Sequence, residues 1–207
     1  EERLIQMLET EYSNMEATLK DKQEDCRFFA FANTVESLNY HKTNQGQGWI
    51  GLKLQLEVGK EPNEIVLHVK MHDQSHKRQQ EALGILGVNL IYASFFERDN
   101  LDEFIDGLRY RLPRERVEID MLRVSGPDFE HVDNRIIALN LVKKGLTDAT
   151  MFDQTGAVLQ PQTALYKKNV LLMRGRFRPM TKVHVDVIDE GTKLYLKEDD
   201  VVAEDMC

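Results

Sequence analysis

The sequence has little cysteine, little proline and no long hydrophobic run, and each shortage excludes a class of protein. Its only cysteines are Cys26 and Cys207, so neither a disulfide framework nor a thiolate metal cluster is expected, and a reducing cytoplasm is the simplest compartment. The longest apolar run, residues 85–96, contains Gly87 and Asn89 and is shorter than the roughly 20 residues that cross a bilayer. With 5 Pro and 12 Gly, the composition is neither fibrous nor disordered.

Acidic residues outnumber basic ones, and catalytic signatures are scarce. The net charge of -8 disfavours broad electrostatic capture of nucleic acid or anionic lipid, so we expect neither bulk nucleic-acid binding nor a membrane partner. No catalytic serine elbow, Gly-rich phosphate loop or dinucleotide fingerprint occurs in the 207 residues. The sequence therefore identifies no cofactor, and it leaves open whether the protein is an enzyme.

The clearest pattern present is a strand, a polar loop and a helix within residues 116–152. Apolar and acidic residues alternate over 116–124, which is the two-residue period of a strand. Turn residues follow at 125–128, apolar residues at helical spacing occupy 134–144, and Gly145 is placed to cap the helix. Because residues 148–152 become extended again, the pattern predicts a crossover between two parallel strands.

An earlier stretch repeats this order. Residues 64–71 alternate as a strand, 72–76 are polar, and 77–86 have helical spacing before Gly87. The apolar residues 88–96 predict the closing strand. We interpret the two stretches as a degenerate internal duplication of a strand-loop-helix-strand unit.

Antiparallel hairpins are predicted on both sides of these units. Residues 26–32 and 49–58 read as strands, and the second is joined to 64–71 by the turn at residues 61–63. Near the C-terminus, 170–173 and 182–188 predict another hairpin. The fold class is therefore α/β with a mixed sheet.

The two ends of the chain differ from this body. Residues 1–21 form an amphipathic helix whose apolar face packs on the domain or on a partner, and residues 198–207 form an acidic tail expected to be disordered. The predicted organisation is a helical segment at 1–24, a single domain at 25–197 and the tail.

Candidate ligand-binding residues lie in the loops that follow the predicted strands, because ligands bind beyond the carboxyl ends of parallel strands. The residues are His72 and Asp73, then Arg123, Ser125, Asp128 and Asp133, and finally Arg174, Arg176 and Arg178. Guanidinium groups beside a helix N-terminus suit phosphate or carboxylate. We expect one polar cleft that binds a small anionic molecule, for example a nucleotide. The alternative is a solvated rim with structural ion pairs.

The histidines and two of the aspartates have simpler interpretations. His72 and His76 would converge on a metal only within a helix, and their segment reads as a loop, so no metal site is predicted. His68 and His184 are expected to lie on strands and face solvent. Asp128 and Asp133 suit capping of the following helix better than acid-base catalysis.

Four segments, FANTVESLNY, QQEALGILGVNLIY, DNRIIALNLVKKGLTDATMF and ALYKKNVLLMRGRFRP, together resemble a family of larger, mostly uncharacterised bacterial proteins. The resemblance covers residues 29–188 and implies a cytoplasmic fragment of a longer protein, in keeping with a chain that opens inside a helical pattern. Members are sometimes labelled nicotinate-nucleotide adenylyltransferases. Such enzymes carry H/T-x-G-H and S-x-T-x-x-R motifs that are absent here, so the resemblance transfers no catalytic residue.

Two functional hypotheses follow from these patterns. The first is a domain of a larger bacterial protein that binds a small phosphate- or carboxylate-bearing molecule, with catalysis undecided. The second is a non-catalytic assembly module that associates with itself through residues 1–21 and exposed hairpin edges, while the arginines make structural ion pairs.

Overall fold

The computed structural model describes residues 1–21, 26–198 and 201, and the chain divides into two compact units, Glu1–Gln160 and Pro161–Cys207. The division falls inside the predicted domain of 25–197, and the N-terminal helix belongs to the first unit. Both helices and strands are present, which confirms the predicted combination of α and β structure, but all pairings of the described strands are antiparallel and the predicted mixed sheet is wrong.

The first unit is built on a four-stranded antiparallel sheet. Its strands are β1 (Phe29–Glu36), β2 (Gly46–Leu54), β3 (Asn63–Met71) and β4 (Val117–Ser125), in the order β1-β2-β3-β4. Alternating side chains in β2 and β3 bury one face against the helices, and these strands form the predicted hairpin.

Three helices cover one face of this sheet and form the main core with it. They are α2 (His76–Phe96), α3 (Leu101–Leu108) and α4 (Asn134–Lys143). Asn89 in the middle of α2 donates to the carbonyl oxygens of Leu108 and Tyr110 at 3.0 and 2.8 Å, so α3 folds back along α2. The buried core side chains on these helices include Leu86, Leu90, Phe104 and Ile105.

Helix α1 (Glu2–Asp21) packs on the opposite face of the sheet. Leu4, Leu8 and Tyr12 are its buried residues, and a Cβ at Gly51 would lie 2.6 Å from a methyl carbon of Leu8, so this glycine permits the close approach. Burial, reinforced by Glu16, raises the pKa of Tyr12 to about 12. The apolar face of α1 is therefore used within its own unit, and the self-association predicted for residues 1–21 gains no support from this packing.

The closing strand predicted for residues 88–96 is wrong, because these residues form the second half of α2. Short apolar runs suit a buried strand and a buried helix equally, so periodicity could not separate the two. Gly87 lies inside the helix rather than capping it, and its missing side chain leaves room for Phe31, whose Cζ would lie 3.0 Å from a Cβ there.

The later unit is confirmed as far as its helix. Gly145 has a φ of 72°, and the amide of Leu146 donates to the carbonyl of Leu141 at 2.8 Å, so the predicted glycine cap ends α4. The next strand, β5 (Met151–Phe152), pairs with β6 (Val158–Leu159) and not with β4. The predicted parallel crossover is thus wrong, and the described strands pair only in the antiparallel sense. Internal duplication stays a prediction.

The second unit contains two described helices, α5 (Pro161–Ala164) and α6 (Lys182–Tyr195). The strand predicted for 182–188 is wrong, since α6 begins there with a capping box between Thr181 and His184. Residues 170–173 form no strand. Most of the predicted disordered tail, 199–200 and 202–207, lies outside the described residues.

Candidate functional site

The antiparallel sheet separates the loops that were expected to form one cleft. Met71 at the end of β3 pairs with Val117 at the start of β4, and Glu64 pairs with Ser125. A nine-residue strand spans about 27 Å, because each antiparallel residue rises about 3.4 Å. His72 and Asp73 therefore lie at the opposite end of the sheet from Ser125 and Asp128, and the single cleft predicted for them does not form.

At the first end, the predicted site residues are tied to neighbouring chain segments. Asp73 accepts a hydrogen bond from Arg116 Nε at 2.8 Å, and its carbonyl accepts from the side chain of Gln79 at 2.8 Å. His72 Nε2 lies 3.7 Å from Glu118. Among the described residues, no group of three or more His, Cys, Asp or Glu is arranged to hold a metal ion.

At the other end, Asp128 and Asn63 bind each other. The side-chain amide of Asn63 donates to Asp128 Oδ2 at 2.7 Å, and the backbone amide of Asp128 donates back to Asn63 Oδ1 at 3.0 Å. Ser125, the exposed last residue of β4, pairs with Glu64. Asp128 is thus explained by the closure of this loop.

Arg123 and Asp133 do share a site, a cavity of about 500 Å³ beside the start of α4 that Arg135 also lines. Arg123 is 2.8 Å from Glu1 and 3.9 Å from Glu64. Asp133 caps α4 by accepting from the amide of Arg135 at 2.9 Å, and hydrogen bonds from Arg135 hold its pKa below the ordinary value. Both arginines already have carboxylate partners, which an incoming anion would have to displace.

Arg174, Arg176 and Arg178 belong to the second unit, where all three are exposed. That unit contains no buried residue within its described part. The role of these three exposed arginines in ligand binding stays a prediction.

The structure brings together a cluster of ionisable side chains that sequence reasoning missed. It lies on β3, on the residue that directly follows β3, and on β4, on the sheet face that α1 also uses. We call it the ionic cluster, and it consists of His68, Lys70, His72, Glu118 and Asp120.

Asp120 is the centre of the ionic cluster and is 3% exposed. Its Oδ1 lies 2.6 Å from His68 Nδ1, so this nitrogen carries the shared proton, and its Oδ2 lies 3.1 Å from Lys70 Nζ. Burial alone would raise the pKa of Asp120, but His68 and Lys70 outweigh it and hold this pKa below the ordinary value. Gln160 also donates to Asp120 Oδ2 at 3.3 Å.

The rest of the ionic cluster is equally well paired. Glu118 accepts from Thr147 Oγ1 at 2.7 Å and lies 3.4 Å from Lys70. Burial alone would lower the pKa of Lys70, yet the charges and hydrogen bonds of Asp120 and Glu118 raise it. The ring of Trp49 meets His68 edge to face at 4.8 Å between centroids. His68, expected to face solvent, is 3% exposed, so that expectation is wrong.

This arrangement can hold and orient a proton on His68, but its carboxylates are occupied by internal partners. Such satisfied networks stabilise and rigidify a fold. The sequence did hold a signal, because His68 and Lys70 are spaced by two residues, as are Glu118 and Asp120. Opposite charges with a common strand period indicate a cross-strand cluster once the two strands are known to be neighbours.

A second feature is an apolar groove of about 590 Å³ between β1 and α2. Phe31 and Val35 line it from the strand, and Leu83, Gly84 and Ile91 line it from the helix. Beside the groove, the outer surface of α2 carries exposed apolar residues at four-residue spacing, which we call the α2 stripe. Its members are Val88, Tyr92 and Phe96, which are 67%, 55% and 74% exposed.

Comparison with known proteins supplies no relative that would assign either feature. No family model matches the chain, and neither a curated protein nor a solved structure matches it. The resemblance to larger bacterial proteins stays a prediction. Among the described residues, no helix has the length and apolar character needed to cross a membrane.

Proposed function

We propose that this chain is a non-catalytic assembly module that binds another polypeptide on the α2 stripe and the adjoining groove. The observation that carries the proposal is the composition of α2. From residue 82 to residue 96 this helix has no charged side chain, although its outer surface faces water at Val88, Tyr92 and Phe96.

A surface helix ordinarily places polar and charged residues on its outer face, and a helix that is apolar all round is ordinarily covered. Contact of apolar surface with water costs about 25 cal/mol per Å². Exposed apolar patches bordered by a groove are typical of protein interaction sites. A partner that covers the α2 stripe would remove this cost.

The second unit supports the same proposal independently. Helix α6 has 14 residues and exposes Val183, Val187 and Leu194. An isolated helix of this length is marginal in water, so most of its stability must come from packing. The described part of this unit buries no side chain, which is the pattern of a segment that functions against a partner.

The proposal is tested by placing a photo-crosslinking phenylalanine analogue at Tyr92 in cells that produce the protein. Tyr110 is the matched control, because it is a tyrosine of the same unit with 64% exposure outside the α2 stripe. We expect a covalent product with a polypeptide from position 92 and none from position 110. Equal products from both positions, or none from position 92, would reject the assembly function.

A second candidate function is the binding of a small anionic molecule, and the cavity beside α4 is the observation that favours it. Arg123 and Arg135 line that cavity beside the N-terminus of α4, where the helix dipole favours a bound anion. A phosphate or carboxylate would bind by taking over Arg123 from Glu1.

This candidate is tested by thermal denaturation with phosphate, pyrophosphate, nucleotides and organic acids. A ligand at 100 times its Kd stabilises by about 2.7 kcal/mol, a rise of roughly 5–10 °C in Tm for a chain of this size. Arg123→Ala should abolish the rise. Arg114→Ala, which removes an arginine paired with Asp148 at 2.5 Å outside the cavity, should preserve it. A Tm unmoved by every ligand would reject the candidate.

A further inference from the structure

We infer that the polypeptide bound on the α2 stripe is a second copy of this chain, joined edge to edge through β1. The inference rests on the proposed assembly function and names the partner. Its first support is the position of β1, which pairs with β2 on one side and with no other strand among the described residues. A strand edge with free amide and carbonyl groups is a template for another strand.

The β1 edge lacks the features that usually prevent such pairing. Natural edge strands are protected by lysine, proline, bulges or inward-pointing charges. The β1 sequence FAFANTVE has neither lysine nor proline, its only charged residue is Glu36 at the last position, and its register with β2 is regular over all eight residues. This edge is therefore open to a partner strand along its length.

The β1 edge and the α2 stripe belong to one continuous surface. Val88 of the α2 stripe lines the groove together with Phe31 of β1, and Phe29 of β1 meets Phe95 of α2 edge to face at 5.9 Å between ring centroids. A two-fold axis perpendicular to the sheet would pair β1 antiparallel with its copy. The same axis would bring the two α2 helices side by side on one face, so both features would be covered at once.

The charge pattern permits pairing with a second copy. In a two-fold interface each patch meets itself, so any charge near the axis faces its own like charge. The chain has 35 acidic and 27 basic residues, yet residues 82–96 and all of β1 except Glu36 are uncharged. Antiparallel pairing also places the two Glu36 residues at opposite ends of the joined strands.

The available area is consistent with a stable dimer. With about 150–250 Å² for each aromatic side chain, the exposed fractions of Phe29, Tyr92 and Phe96 correspond to about 300 Å² of aromatic surface. A standard interface buries about 800 Å² per partner, and Val88, the groove walls and the strand edge are available for the remainder.

Light scattering of the purified chain across concentration tests the inference. We expect a species of twice the 24.0 kDa chain mass. Val88→Asp and Asn33→Lys should each raise the dimer dissociation constant at least about 30-fold, because a dimer carries each substitution twice. Leu139→Asp is the matched control, since Leu139 is a half-exposed apolar residue on α4, and it should leave the constant unchanged. Circular dichroism checks that each variant is folded.

A chain that is monomeric at all concentrations, or a dimer that survives both substitutions, overturns the inference. The crosslinking experiment at position 92 separates this failure from failure of the proposed function. A product with a different polypeptide, from a chain that is monomeric when pure, rejects the second copy and keeps the assembly function. Absence of any product at position 92 rejects both.

Discussion

Removal of Asp120 should destabilise the fold more than any single surface change. Its side chain is 2% exposed and holds His68 at 2.6 Å and Lys70 at 3.1 Å. Truncation to alanine leaves a buried imidazole N–H without its acceptor and removes the nearest counter-charge of Lys70. Removal of one partner of a buried ion pair costs about 3–5 kcal/mol, so Asp120→Ala should lower the free energy of unfolding by that amount.

Asp120→Asn separates the charge from the shape. The amide keeps the volume and one acceptor oxygen but removes the carboxylate charge, and a hydrogen bond to a charged group is worth about 1.5–3 kcal/mol against about 0.5–1.5 between neutral groups. We expect a loss of about 1–3 kcal/mol. Asp99→Asn is the control, because Asp99 is 91% exposed beside Arg98, and surface changes stay within about 0.5 kcal/mol.

The pH dependence follows from the direction of the pKa shifts. Because the folded pKa of Asp120 is below its ordinary 3.8, the native state binds fewer protons there, and the stabilisation is complete above pH 3.8. It is lost as pH falls through the lower folded pKa. Lys70 acts at high pH, because its pKa in the folded state is raised above the ordinary 10.5. Its contribution to the free energy of unfolding is complete below pH 10.5 and is lost as pH rises through the folded-state pKa.

Urea unfolding of wild type and Asp120→Asn at several pH values measures these effects. The difference in unfolding free energy should be largest near neutral pH and should shrink below pH 3.8. Curves that remain parallel down to the lowest pH at which both proteins fold would refute the role given to the carboxylate. A cost below about 1 kcal/mol for Asp120→Ala would refute the assignment of a buried ion pair.

Three further predictions test the packing. Leu8→Ala should lower the free energy of unfolding in urea by about 2–5 kcal/mol, because the Leu8 side chain is fully buried between α1 and the sheet. Met15→Ala, on the outer side of α1, should change this free energy by less than about 0.5 kcal/mol. Equal losses for the two variants would contradict the docking of α1. Gln79→Ala should lower the free energy of unfolding by about 1–3 kcal/mol, because the amide of Leu38 and the carbonyl of Asp73 each lose a hydrogen-bond partner. Gln80→Ala is the control, and a Tm of Gln79→Ala no lower than that of the control would contradict this role of Gln79. Gly84→Ala should stabilise by about 1 kcal/mol, since a Cβ there meets open space in a helix, and a lowered Tm would show the site to be crowded.

The period of the apolar side chains correctly predicted elements in which apolar and polar residues alternate regularly. The strand predicted at 64–71 is β3, and the apolar face of the helix predicted at 1–21 packs on the domain. Helix α1 has one buried and one exposed face. Strand β3 is buried on both faces, but its core-facing residues still alternate with Glu64, His68 and Lys70, so the period of the side chains predicts the secondary structure.

The error in α2 changed the topology of the sheet. A helix ending at residue 86 would have allowed a parallel strand to follow. Instead α2 continues to Phe96, so that the whole helix has 21 residues and a length of about 31 Å at 1.5 Å per residue. Helix α3 then returns along it. The chain is therefore back at the end of β3 when β4 begins, and Val117 pairs with Met71 in the antiparallel sense. No local pattern encodes that return, because it depends on how the two helices pack.

The ionic cluster was hidden for a related reason, because its central pair joins residues 52 positions apart. The register shift beside His68 hides it further. Lys70 pairs with Glu118 and Val69 with Ile119, but His68 pairs with Met121, so Asp120 is the extra residue of a bulge. After Ile119, the bulge makes Leu122 and Val124 the next core-facing residues. Strict alternation would have placed Met121 and Arg123 there. Under strict alternation Asp120 and Leu122 would lie on the same face of the sheet. The period of β4 alone therefore cannot place Asp120 beside His68 and Leu122 in the core, and the cross-strand register is needed to place both.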